Sequence, residues 1–304
     1  MKTIHRTFQS EEEKKQFVLE CETDFYTRLS HITGAIAHRD DFYVIALSGP
    51  TCAGKTTTAH LLIKDLEACG KNAVVISIDD FFRDHSGKRE VKDEPVDYDS
   101  IDAIDFPYFA ECVRGILAGE TVRLPKYDFD TQKRCAYWEY TRKEKDVLIF
   151  EGIQAVYAPI LQLLESGGCC GIFTDVAEDV SVNGILFDRN EIRLSRRLVR
   201  DYKFRSATPD FTLYLWDGVR KNEETNIFPN SRKLTYQMDS FHGYELFLLR
   251  PYVLSILGEV REDSIYYPAA KALMDKFEPL PEISYDLVPE DSMYTEFLGK
   301  NEKN

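Results

Sequence analysis

Residues 49–57, Gly49-Pro50-Thr51-Cys52-Ala53-Gly54-Lys55-Thr56-Thr57 (GPTCAGKTT), stand one residue after the apolar run FYVIAL and directly before a stretch with helical spacing. A glycine, four residues and then Gly-Lys-Thr is the spacing of a phosphate-binding loop. Backbone N–H groups and a helix N-terminus surround phosphate oxygens, the lysine adds a point charge and the threonine a Mg²⁺ ligand. The flanks agree with that reading. Tyr43 to Leu47 reads as a short β-strand, and Ala59, Leu62, Ile63, Leu66 and Cys69 fall at helical steps from Thr56 onward, with Gly70 as a stop. Strand, loop and helix come in the required order, so all nine residues are expected to hold a nucleotide.

Outward from the loop, Ala73 to Ile78 (AVVISI), Val147 to Phe150 (VLIF) and a run beginning at Gly171 to Phe173 are further short apolar segments, with a weaker fifth at Lys233 to Met238. Apolar strands separated by helical stretches predict a doubly wound α/β fold around a buried parallel sheet of about five strands. Gln9 to His38 carries Phe17, Cys21, Phe25, Leu29 and Ile32 at three- and four-residue steps, which predicts an amphipathic helix ahead of the first strand. Tyr244 to Leu257 predicts another after the fifth. The expected organisation is an N-terminal helical segment (1–40), a nucleotide-binding core (41–258) with a lid near 188–206, and a C-terminal extension (259–304).

Of the 304 residues, 43% are apolar and 30% charged, and 38 basic against 52 acidic side chains give a net charge of -14. That sign opposes attraction to a nucleic-acid backbone or an anionic membrane, so neither a polynucleotide nor a membrane is expected as partner. Seven cysteines without CxxC spacing, no signal-like apolar segment in MKTIHRTFQSEEEKK and no run of membrane-spanning length predict a cytoplasmic protein with reduced thiols. A homo-oligomer is compatible with these features and not required by them.

In an open parallel sheet, ligands lie beyond the carboxyl ends of the strands. Two such ends are acidic: Asp79, with Asp80, follows the second strand, and Glu151 follows the third. A Mg²⁺ bridging phosphates needs oxygen ligands, which Thr56 and a strand-end carboxylate supply; capping of a helix is the alternative use of either acid. Phosphoryl transfer to a hydroxyl also needs a proton acceptor and positive charge around the moving group. DRNEIRLSRRLVRDYKFR (188–205) supplies charge, with Arg193, Arg196 or Arg197, and Arg200 recurring on one helix face. The alternative is a solvated helix whose arginines pair with Glu191 and Asp201.

GPTCAGKTT, SIDDFF, the spacing Tyr98-Asp99 to Asp105, LPKYDF, LIFEGI and RLSRRLVRD, in that order, resemble the uridine kinase (uridine-cytidine kinase) family of P-loop kinases, with phosphoribulokinase as a more distant relative. The resemblance runs from about Tyr43 to Arg205, and LYLWDGVRKNEETNIFPN with YQMDSFHGYEL is similar to a bacterial uridine-kinase-like branch. It implies ATP as donor, Mg²⁺ as cofactor and the 5′-hydroxyl of uridine or cytidine as acceptor. It further implies Asp79 as general base and Asp99 on the ribose hydroxyls, with Phe82, Tyr98, Tyr127 and Phe129 around the base. Thr56 and Glu151 match the metal site; Arg193, Arg196 and Arg200 match the lid and substrate-side arginines. Three positions depart from the family pattern. Gln132 stands in place of a base-contacting histidine, Ser206 in place of a glycine after the lid arginine, and Phe82 in place of a tyrosine. Other acceptors remain open within the same chemistry: a sugar, a sugar phosphate or a pantothenate-like compound. A nucleotide-binding regulatory protein without turnover is the rival from another class, although a pure sensor has no need of a proton acceptor at Asp79.

Overall fold

In the run Val44–Ser48 every side chain is buried, and the alternation of the pleat sends Val44 and Ala46 to one face of a sheet and Ile45 and Leu47 to the other. A strand apolar on both faces must be covered on both, and the computed structural model shows how. It describes residues 1–38, 44–84, 100–129 and 131–300.

In chain order the elements are β1 (Lys2–Ile4), α1 (Glu11–Ala37), β2 (Val44–Ser48), α2 (Lys55–Ala68), β3 (Asn72–Ser77), α3 (Phe106–Ala118), β4 (Val122–Asp128), β5 (Lys133–Tyr140), β6 (Asp146–Glu151), α4 (Ala158–Glu165) and β7 (Cys169–Asp175). There follow β8 (Val180–Val182), β9 (Ile185–Phe187), α5 (Arg189–Arg205), α6 (Pro209–Asn222), α7 (Phe228–Ser231), β10 (Tyr236–Asp239), α8 (Glu245–Leu257), α9 (Tyr267–Phe277) and α10 (Thr295–Leu298). The central sheet has five strands, all parallel, in the order β10-β7-β2-β6-β3. Its two outer neighbours of β2 are β6 and β7, so the strand order reverses there and the phosphate loop sits at the switch point.

On one face, Phe25, Leu29, Ile32 and Ile36 of α1 and Ala59, Leu62 and Leu66 of α2 cover Ile45, Leu47, Ile149 and Ile172. On the other, Phe109, Val113 and Ile116 of α3 and Ile160 and Leu164 of α4 cover Val44, Ala46, Leu148 and Phe150. The five expected strands are therefore all present, within a few residues of the expected bounds; Tyr43 lies outside the described residues.

Three features were not anticipated. β4 and β5 form an antiparallel hairpin with a bulge at Lys126/Tyr127, tied to the end of β3 where Asp80 accepts from Lys126 Nζ at 2.9 Å and from the Tyr127 N–H at 3.1 Å. β1, β8 and β9 make a small separate sheet. Thirdly, the C-terminal segment does not stand apart. Leu273, Phe277, Met293, Tyr294 and Phe297 share one buried cluster with Val18 of α1, Cys52 of the loop and Leu198 of α5. Both chain ends therefore pack against the core.

Candidate active site

The loop 49–54 leaves β2 and is held tightly before α2 begins. A Cβ added at Gly49 would lie 2.1 Å from the Thr174 carbonyl oxygen, so only glycine fits beside β7. Cys52 takes φ 57°, the left-handed region that costs a side-chain-bearing residue about 1–2 kcal/mol. Gly54, at φ 79°, is the N-cap of α2 and brings no side-chain cap, so the first N–H groups of the helix are left facing the space a phosphate needs.

That space is a cavity of about 690 Å³ lined by Thr51 to Thr56, by Asp79 and Glu151, and by Arg197, Arg200 and Arg205. The two strand-end carboxylates and the loop are thus brought together, as expected. Lys55 Nζ donates to the Pro50 carbonyl oxygen at 3.0 Å, and Thr56 is exposed at the helix start. Burial pushes the Glu151 carboxyl above the usual carboxylate range, an effect that Lys55 opposes and Glu296 and Asp80 reinforce. Asp80 turns instead to the hairpin through Lys126 and Tyr127. A second cavity of the same volume opens at the ends of β7 and β10, away from the loop.

The arginines divide differently from the expectation. Arg193 and Arg196 do not line the cavity; both are completely buried. Arg193 is forked onto Glu223 at 2.6 and 2.7 Å and stands 3.3 Å from Asp175. Arg196 meets Glu245, with Nη2 2.7 Å from Oε2, and also bonds Ser240. Each guanidinium spends one further N–H on the loop backbone: Arg193 Nη1 on the Thr51 carbonyl at 3.3 Å and Arg196 Nη1 on that of Cys52 at 3.0 Å. They act as positioning residues for the loop rather than as cavity charges. The physical reason is that α5 is enclosed by α6, α8 and α10, so the face carrying these two arginines meets protein rather than solvent. Arg200 does reach the cavity, held by Asp201 at 2.7 and 2.9 Å, and Arg197 and Arg205 join it. The signal for a buried partner was present in YELFLL, where Glu245 interrupts an apolar stretch.

The aromatic residues expected around a base are three rings packed edge to face: Phe82 with Tyr127 at 5.5 Å, Tyr127 with Phe129 at 5.3 Å and Phe82 with Phe129 at 5.9 Å. Phe82 and Tyr127 are buried, and Phe129 is 54% exposed. Gln132 sits in the hairpin turn at φ 55°, and Ser206 takes the left-handed C-cap of α5 at φ 51°, the position where a glycine is favoured. Tyr98 and Asp99 lie outside the described residues. Sequence reading missed Glu296, which enters the same cavity from α10.

Comparison with known proteins gives this arrangement a family. Residues 44–231 match the model of the phosphoribulokinase / uridine kinase family. The chain belongs to that family. It is 28% identical over 187 residues to uridine-cytidine kinase B of Dictyostelium discoideum, a match covering 61% of this chain and 69% of that protein. It is likewise 28% identical over 183 residues to the uridine kinase of Mycoplasma genitalium, covering 58% and 74%. Uridine-cytidine kinase-like 1 of Mus musculus is 32% identical over 162 residues, but that match spans 26% of its length. Among solved structures, that of "a Possible Uridine Kinase" from Bacillus stearothermophilus superposes with a TM-score of 0.50 at 15% identity, over 70% of this chain and 98% of that one, a likeness of fold. Among the described residues no helix is long and apolar enough to cross a membrane, and no two cysteines are joined in a disulfide.

Proposed function

We propose that this chain transfers the γ-phosphoryl group of ATP to a hydroxyl of a small molecule, with the 5′-hydroxyl of uridine or cytidine as the acceptor its relatives' names favour. The observation that carries the reading is one cavity that holds Lys55 and Thr56 of the loop together with Asp79 and Glu151 at two strand ends. Lys55 and the start of α2 bind the phosphates. Thr56 and Glu151 are the residues that would hold Mg²⁺. The donor set fits, because Mg²⁺ takes one or two protein oxygens and completes its shell with phosphate oxygens and water. When bound, the ion neutralises charge across the phosphates. Asp79 orients the acceptor hydroxyl and takes its proton, while Arg197 and Arg200 supply positive charge where the phosphoryl group passes.

The test is an ATP-consumption screen over nucleosides, sugars, sugar phosphates and pantothenate, with Asp79→Asn as control. Asp79→Asn keeps size and much of the hydrogen bonding and removes basicity, so kcat with the best acceptor is expected to fall roughly 10² to 10⁴-fold while MgATP affinity changes much less. Turnover equal to wild type would remove Asp79 from the role of base, and no consumption with any acceptor, beside intact MgATP binding, would favour the regulatory alternative.

A further inference from the structure

Residues 291–298 lie beyond the family match and close against the phosphate loop. Met293 is buried, with its Sδ where a Cβ on Gly54 would stand, only 2.2 Å from that point. Tyr294 and Phe297 are fully buried, Phe297 beneath the Arg196 guanidinium at 5.8 Å. Ser292 Oγ donates to the buried Glu22 at 2.6 Å. These anchors fix the backbone of α10 and leave Glu296, between them, partly exposed at the mouth of α2. Its Oε2 accepts from the Thr57 hydroxyl at 3.3 Å, at the third residue of a helix whose N-cap supplies no side-chain oxygen. A carboxylate is favoured at that helix end for the same reason that a phosphate is.

We infer that Glu296 sets the affinity of the nucleotide site by holding a fixed negative charge at the start of α2, where it competes with incoming phosphate for Thr57 and for the helix end. This rests on the reading of residues 49–57 as a phosphate-binding loop. The carboxylate is close enough to the site to be felt there: Glu296 lines the same cavity as Lys55, Thr56 and Arg200. Phosphate entry therefore requires the Glu296 side chain to swing off Thr57, and this is a side-chain movement, because its neighbours 293, 294 and 297 are locked in the core. The discrimination is by charge: a ligand with more phosphate negative charge gains more when the carboxylate is removed, and adenosine gains nothing.

The experiment is calorimetric titration of the full chain with adenosine, ADP and ATP, the nucleotides with Mg²⁺, for wild type, Glu296→Gln, Glu296→Asp and Lys55→Ala, at low and high salt. Glu296→Gln is expected to bind ATP roughly tenfold tighter than wild type, with a smaller gain for ADP. Glu296→Asp, which keeps the charge, is expected to stay near wild type. The gain should shrink at high salt. Glu296→Gln binding ATP as wild type does, or more weakly, overturns the inference; so does a gain that Glu296→Asp shares, which would make the effect one of size. Lys55→Ala separates the two readings: if it binds ATP as well as wild type does, the phosphate-loop reading itself fails, whereas a loss in Lys55→Ala beside an unchanged Glu296→Gln sinks only the role of Glu296.

Discussion

Replacing Arg196 by Met removes a charge that no water reaches. The guanidinium is completely buried, and its partners are the equally buried Glu245, the hydroxyl and carbonyl oxygens of Ser240 and the Cys52 carbonyl. Burial works against the charged guanidinium, and Glu245 more than offsets it, so the proton is held above the usual arginine range. Arg196→Met leaves Glu245 as an uncompensated buried carboxylate, which costs about 3–5 kcal/mol, a large share of the roughly 5–15 kcal/mol that holds a domain folded. Arg196→Met with Glu245→Leu removes both charges, and replacing a buried pair by packed apolar groups is often near neutral. The double variant should therefore recover at least about 2 kcal/mol of the single variant's loss. Function should not recover with it. Cys52 sits at φ 57°, a conformation that persists only while its surroundings hold it, and in the double variant its carbonyl has lost the Arg196 N–H. A charged-group hydrogen bond of about 1.5 kcal/mol corresponds to roughly a tenfold loss of MgATP affinity. Urea unfolding and MgATP titration of the wild type, both singles and the double measure the two effects. The reasoning is refuted if the double variant is as unstable as the two single losses added together, or if it is restored in stability and binds MgATP like wild type.

Asp80→Asn should leave kcat within a few-fold of wild type and cost about 1 kcal/mol of stability, because its carboxylate bonds the hairpin rather than the cavity; a loss of turnover as large as that of Asp79→Asn would reverse the assignment. Gly49→Ala, whose Cβ would meet the Thr174 carbonyl oxygen at 2.1 Å, should lower stability by about 1–3 kcal/mol and weaken nucleotide binding, read from the urea midpoint and titration. Glu22 gives a pH signature. Burial opposes its ionisation, but His242, Ser292 and Tyr244 outweigh that and hold its carboxyl below the ordinary value of 4.5. A lowered folded value gives stability that is complete above 4.5 and is lost as pH falls through the folded value. The stability difference between wild type and Glu22→Gln should therefore shrink on acidification below pH 4.5, and a difference that is flat or grows would contradict it.

What the sequence disclosed and what it concealed follow from the range of the interactions involved. The sheet was legible because a buried parallel strand needs a short apolar run, and each such run ends where the next residue meets the ligand side; GPTCAGKTT, Asp79 and Glu151 are all placed by that local rule. The hairpin was hidden because β4 and β5 face solvent over much of their length, with Tyr137 and Trp138 each 40% exposed, so VRLPKYDF and KRCAYWEY lack the apolar contrast that marks the central strands. The arginines were misplaced for a different reason. Helical spacing tells which side chains share a face of α5 but not what that face meets. The acids that bury Arg193 and Arg196 come from positions 223 and 245, 30 and 49 residues along the chain.

Long-range partnering of this kind also explains why the C-terminal segment looked like an appendage. Its contacts, Ser292 to Glu22 and Glu296 to Thr57, span 270 and 239 residues, and nothing in DSMYTEFLGK announces them. Yet the same contacts place this segment, together with the two clamped arginines, directly behind and beside the phosphate loop. The side chains that hold the loop's backbone, Arg193 and Arg196, lie outside it. If residues 49–57 bind the nucleotide as proposed, substitutions at 196, 245 and 296 should alter that binding without any change in the loop itself, because Arg196 bonds the Cys52 carbonyl, Glu245 holds Arg196 and Glu296 lines the loop's cavity.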